Sequence, residues 1–266
     1  MFYDIKEGLK MKKIDVHTHL WLPSEKSDDG ERFIECAERV GIVEMWCSRP
    51  IGGRMGSMDE IRNCNDGVLR AMERYPNRVK GLCFIIGGYN QKALKEVERC
   101  LDAGMIGIKL YNQYKIQDPA MWPIIELASE RHVPILIHAA YLSPPFLEEQ
   151  LNTSHGEDIA KISQRYPDAL IINGHIGGGG DWEYTIRALA DASPNVYVDT
   201  GGSNLDDGQI EFAIDHLGVE RLLFATDNVF EGGVGKILGA SIPAEVKERI
   251  FWKNASELLA KQNDSN

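Results

Sequence analysis

The chain has 266 residues, with 29 basic and 40 acidic side chains and a formal charge of −11. Apolar residues make up 43% and charged residues 26%, a balance that excludes disorder, collagen and coiled coil as descriptions of the whole chain. A net anion of this size repels nucleic-acid phosphates and acidic membrane surfaces. No basic run offsets it, so a small-molecule substrate is expected and neither nucleic acid nor membrane.

No apolar run approaches the roughly 18 residues of a membrane span, and the first twenty residues hold no signal-peptide core. The five cysteines (36, 47, 64, 83 and 100) are odd in number and never spaced C-x-x-C. They fit reduced, buried thiols better than a disulfide framework. The expected location is cytoplasmic. Strong patterning starts after Met11, so residues 1–11 are read as an N-terminal extension and 12–266 as one domain.

Short apolar runs then alternate with amphipathic stretches. Strands are predicted at 14–19 (IDVHTH), 42–47 (IVEMWC), 79–86 (VKGLCFII), 106–110 (IGIKL), 134–139 (PILIHA), 169–174 (ALIING), 196–200 (VYVDT) and 221–226 (RLLFAT). They are rich in Val, Ile and Leu with little polar alternation, as parallel strands covered on both faces are. Helices are predicted at 31–40, 59–75, 90–103, 119–131, 156–166, 182–192, 206–217 and about 243–261, with Asp59 and Asn90 as N-caps. Gly52–Gly53, Gly177–Gly180, Gly201–Gly202 and Gly232–Gly233 read as loops after strands. Eight strand–helix units fit an α/β chain folded as a single-domain (β/α)8 TIM barrel. A doubly wound sheet has the same alternation, but even spacing over the whole length favours closure.

His17 and His19 end the first strand, and residues two apart on a strand point the same way. At the C-terminal mouth of a barrel, where such folds place their sites, two imidazoles on one face can hold one metal ion. His138, His175 and Asp227 each follow an apolar strand run in the same way. Four strand ends converging on His and Asp types are hard to explain by packing, because an inward polar cluster without a cation lacks partners.

The order H-x-H, His, His, Asp, carried by IDVHTHL (14–20), GIKLY (107–111), PILIHA (134–139), GHIGG (174–178), FATDNVF (224–230) and IFWKNASELL (250–259), resembles the amidohydrolase superfamily. The likeness is closest to the amidohydrolase-related branch of metal-dependent TIM-barrel hydrolases and the aminocarboxymuconate-semialdehyde decarboxylase group. It implies that His17, His19, His138 and Asp227 coordinate a metal, Zn2+ by expectation. It also implies that His175 acts beside the metal as acid, base or stabiliser; metal chemistry itself gives Asp227 the expected part of orienting a water and accepting its proton. Bound zinc lowers the pKa of its water to about 7.

Some relatives carry a carbamylated lysine bridging two metals where Lys109 stands. A plain ammonium there would bind a substrate carboxylate instead, and one ion with a cationic Lys109 is the favoured expectation. Trp21, Arg54, Tyr111, Tyr141, Trp182 and Asn228, on loops after strands, are candidate pocket residues, with Arg54 as a carboxylate clamp. Asp15 and Asp199 are read as structural or supporting groups. The first expectation of function is hydrolysis of an amide, ester or lactone in a small, carboxylated substrate. Its alternatives are a metal-dependent decarboxylase and a non-catalytic metal or small-molecule binding barrel. Self-association into a homo-oligomer is common among relatives and enters by analogy only.

Overall fold

The computed structural model describes residues 5–22, 24, 29–142, 146–176, 180–202 and 204–263. Eight strands lie in sequence order in one parallel sheet: β1 Lys13–Thr18, β2 Ile42–Cys47, β3 Val79–Phe84, β4 Gly107–Leu110, β5 Ile135–His138, β6 Ile171–Gly174, β7 Val196–Asp199 and β8 Leu222–Leu223. The ring closes where Val16 N–H donates to Phe224 O (3.0 Å) and Asp227 N–H donates to His17 O (2.9 Å). This is the (β/α)8 TIM barrel expected from the alternation. The eighth predicted strand is cut short, because beyond Leu223 the backbone turns to partners on β1 and to Ile250 O.

The helices are α1 Ile5–Lys10, α2 Asp29–Arg39, α3 Met58–Arg74, α4 Gln91–Asp102, α5 Trp122–Glu130, α6 Phe146–Glu149, α7 Gly156–Arg165, α8 Trp182–Ala190, α9 Gln209–Leu217, α10 Phe230–Gly239, α11 Ala244–Glu248 and α12 Asn254–Asn263. Two local expectations change. Ser57, not Asp59, caps α3, in a capping box with Glu60 that the S-x-x-E spacing permits. Asn90 holds the cap position of α4 but makes no side-chain cap bond, its φ being 49°.

Gly232 and Gly233, expected in a loop, lie inside α10. A Cβ on Gly233 would come within 2.8 Å of Thr226 Cγ2 and 3.1 Å of Ala225 O. Glycine here lets a helix sit directly on the segment that follows β8, which outweighs its poor helix propensity. Of the expected Gly177–Gly180 loop, residues 177–179 lie outside the described residues.

One buried cluster takes Ile14, Val16, Trp46, Leu82, Leu136, Ile172, Tyr197 and Leu223 from seven of the eight strands, which places it inside the ring. Ala255 and Leu258 of α12 pack on it as a plug. A larger cluster lies between the strands' outer faces and the helices. Side-chain alternation carries the inner face toward the mouth: two residues beyond Leu136, Tyr197 and Ala225 stand His138, Asp199 and Asp227.

Residues 1–4 of the expected extension lie outside the described residues, and 5–10 form α1. Buried Lys13 donates from Nζ to Gly8 O (2.9 Å), Leu9 O (3.2 Å) and Met11 O (2.8 Å), and lies 4.7 Å from the Phe251 ring centroid. Burial lowers its pKa to about 8. Between about pH 8 and 10.5 the unfolded chain therefore binds more protons than the folded one, and this group makes stability rise with pH. Lys13→Met should cost about 1–3 kcal/mol, as expected for buried carbonyls left without a donor. Its deficit against the parent should be larger at pH 9.5 than at pH 7.5. Urea unfolding at both values checks this, and an equal deficit at both would contradict it.

Candidate metal centre

Three donor groups meet at the mouth. His17, His19 and Asp227 each offer a ligand atom, all within 4.8 Å of one another, the one such grouping among the described residues. His19 Nε2 lies 2.9 Å and His17 Nε2 3.9 Å from Asp227 Oδ1. The two imidazoles stand edge to face, with centroids 5.2 Å apart. The seam of the barrel creates this meeting, since Asp227 N–H is bonded to His17 O.

Backbone strain is concentrated at the same place. His175, Asp227 and Asn228 have φ values of 65°, 52° and 67°. Asp, Asn and His are the non-glycine residues that best tolerate the left-handed region, at roughly 1–3 kcal/mol each. Their surroundings hold them there. His175 N–H donates to Asp199 Oδ1 (2.9 Å), and Asn228 Oδ1 accepts from His19 N–H (2.9 Å). Gly174 leaves room beside His17, whose Cε1 would lie 3.3 Å from a Cβ there.

Fully buried His17 is held from both sides. Its Nδ1 lies 2.8 Å from Asp199 Oδ2, and its Nε2 lies 2.6 Å from Lys109 Nζ. A carboxylate accepts and an ammonium donates, so the proton belongs on Nδ1 and a lone pair on Nε2. His19 has its Nδ1 3.2 Å from Ser48 O, which leaves Nε2 toward Asp227. The Asp15 carboxylate accepts from His17 N–H (3.1 Å) and Thr226 N–H (3.0 Å), and it too is fully buried.

The electrostatics follow from burial. Desolvation, aided by the positive charge of Lys109, pushes His17 well below the ordinary imidazole range. Burial, with repulsion between imidazoles that would be protonated side by side, lowers His175 to about 3 and depresses His138 strongly. Burial would raise Asp227, but the close approach of His19 and the other imidazoles around it outweigh burial and hold its carboxyl well below the usual range. Lys109 is lowered to about 8 by burial, against the pull of Asp227 and Asp199. A neutral His17 beside an ionised Asp227 gives two of the donor states a divalent ion requires. The Nε2 lone pair of His17 already faces a cation, so these residues fit a metal.

Of the other expected site residues, His138, His175, Tyr111 and Asn228 adjoin the trio or one another, and the rest make contacts of their own. His138 stands beside the trio, its Nδ1 2.9 Å from His175 Nε2 and its ring stacked 4.3 Å from Tyr111. His175 Nδ1 lies 3.5 Å from Asp227 Oδ2. Asn228 spends its side-chain oxygen on the His19 backbone. Trp21 packs beneath the Arg49 guanidinium at 4.7 Å. Exposed Arg54 is bound to Glu60 at 2.6 Å and borders a cavity of about 260 Å³ with Gln113, Gln150 and Leu151. Tyr141 lies on Tyr184, centroids 4.3 Å apart, and Trp182 Nε1–H donates to Asp206. The grip of Asp199 on His17 was not expected from sequence. Its signal was present, since it follows the apolar run VYV as Asp227 follows LLFAT.

The chain belongs to the amidohydrolase family, whose model, described as amidohydrolase, matches residues 14–261. Among curated proteins it is 24% identical over 293 residues to a gamma-resorcylate decarboxylase from Polaromonas sp. strain JS666, covering 90% of this chain and 89% of the relative. Among solved structures it resembles a dihydroxybenzoic acid decarboxylase from Polaromonas sp. JS666 with bound manganese and the inhibitor 2-nitroresorcinol. That match has a TM-score of 0.74 and 18% identity, covering 94% of this chain and 97% of the other. A 4-oxalomesaconate hydratase from Rhodopseudomonas palustris shares the fold at a TM-score of 0.72 and 16% identity, with coverages of 95% and 97%. No helix among the described residues is long and apolar enough to cross a membrane.

His19→Ala and Asp227→Asn should each lower affinity for Mn2+ or Zn2+ by more than tenfold, since each removes one of three converging donors. Titration calorimetry measures it. Unchanged affinity in both variants would place the ion elsewhere.

Proposed function

We propose that this protein is a metal-dependent decarboxylase of small hydroxylated aromatic carboxylic acids. The observation that carries the reading is the trio His17, His19 and Asp227 beside a flat wall made by Tyr111 stacked on His138, with His175 between them. The likeness to a decarboxylase along nearly the full length supports the same reaction. It favours the alternative named from sequence over hydrolysis, which expects a similar ligand set.

A single divalent ion, manganese or zinc, held by His17, His19 and Asp227, with His138 nearby, would supply Lewis acidity toward the substrate's oxygen anions. The remaining work falls to the chain. Lys109 adds positive charge beneath the site, favourable to a carboxylate. Tyr111 offers its face to an aromatic ring. Loss of CO2 requires a proton on the ring carbon that bears the carboxylate. The carbon–carbon bond then breaks, its electron pair returns to the ring, and CO2 departs.

His175 is the residue assigned here to move that proton. It is neutral when the site holds no substrate, because burial disfavours its charge. An arriving anion reverses the balance and favours the imidazolium. Asp227 Oδ2 beside Nδ1, and His138 at Nε2, orient the ring.

Protein loaded with Mn2+ or Zn2+ and supplied with gamma-resorcylate and other dihydroxybenzoates should release CO2 and the matching phenol. A chelator should abolish turnover, and His175→Asn should lower kcat by about 10²–10⁴. Uptake of water into an amide or lactone with no CO2 from any hydroxybenzoate would overturn the assignment.

A further inference from the structure

We infer that Asp199 is a positioning residue that presets His17 as a metal ligand by fixing which ring nitrogen carries the proton; this rests on the metal-centre reading above. Asp199 ends β7 and is completely buried, yet neither oxygen is idle. Oδ2 faces His17 Nδ1 at 2.8 Å, and Oδ1 accepts from the backbone N–H of His175 and of Gly201, each at 2.9 Å. One carboxylate thus ties β7 to the ring of β1 and to the strained residue after β6.

The division of labour between the two oxygens is specific. The backbone donors fix the carboxylate plane through Oδ1, so Oδ2 has one direction left, toward Nδ1. An imidazole that donates from Nδ1 keeps its lone pair on Nε2, and Nε2 is the atom that faces Asp227 and Lys109. Without Oδ2 the ring could carry its proton on Nε2 and present no lone pair to a cation. Outer partners of this kind typically change metal affinity by 10–100-fold. Ser48 O plays a related part at His19 Nδ1 but at 3.2 Å, and it is a backbone carbonyl that no substitution removes.

Asp199→Asn tests the idea, because its amide oxygen can keep the two backbone bonds while its NH2 donates where Oδ2 accepted. The expected result is a 10–100-fold loss of Mn2+ or Zn2+ affinity by calorimetry. Imidazole 15N spectra should show the His17 proton moved from Nδ1 to Nε2. Near-UV circular dichroism should stay that of the parent. Affinity within threefold of the parent, or a lower affinity with the His17 proton still on Nδ1, overturns the inference. A second measurement needs no variant: in the metal-free parent, 15N spectra must show a protonated Nδ1 and a bare Nε2 on His17, and the reverse tautomer also overturns it. If the parent binds no divalent ion while its His17 tautomer is as stated, the metal-centre reading fails and the positioning of His17 by Asp199 survives.

Discussion

The seam between the first and last strands is the constraint from which the rest follows. A parallel ring of eight strands has one junction that sequence neighbours cannot make. Here it rests on Val16 N–H to Phe224 O and Asp227 N–H to His17 O. Asp15 reinforces it by accepting from Thr226 N–H and the Thr226 hydroxyl. Each bond contributes on the order of 1 kcal/mol net, but each would cost more if left unmade in this dry interior. The register they impose sets Asp227 against both histidines. The contact that closes the barrel is therefore also the one that brings the donor trio together.

The floor of the mouth concentrates groups that a protein interior disfavours. Asp15, Asp199, Lys109 and His17 are all removed from water. Burial pushes the Asp15 carboxyl up to about 8 and lowers Lys109 to about the same value. Such groups persist only when each has partners of the right sign. The left-handed backbone at His175, Asp227 and Asn228 belongs to the same pattern, in which stability is forgone where geometry must be fixed.

The barrel was legible because its strands are apolar runs at regular spacing, and the site because His and Asp stand where those runs end. What escaped had weaker local signatures. The α10 glycines look like a loop until the closeness of Thr226 is known. The cap of α3 needed the S-x-x-E pairing, not the nearest acidic residue. Asp199 was seen at a strand end but given no partner, since its contact skips a strand, from β7 past the short β8 to β1. His175 was legible as a histidine after an apolar run, but not the left-handed backbone at which it stands. The choice between hydrolysis and decarboxylation was illegible for a chemical reason, because the ligand set barely differs between the two.

The clasp at the seam joins Asp15 to Thr226, 211 positions apart. During synthesis the two histidines emerge early, while the carboxylate that completes their trio is made near the end. On the proposed metal reading, the nascent polypeptide therefore passes most of translation as an incomplete chelator, completed only when the last staves are in place.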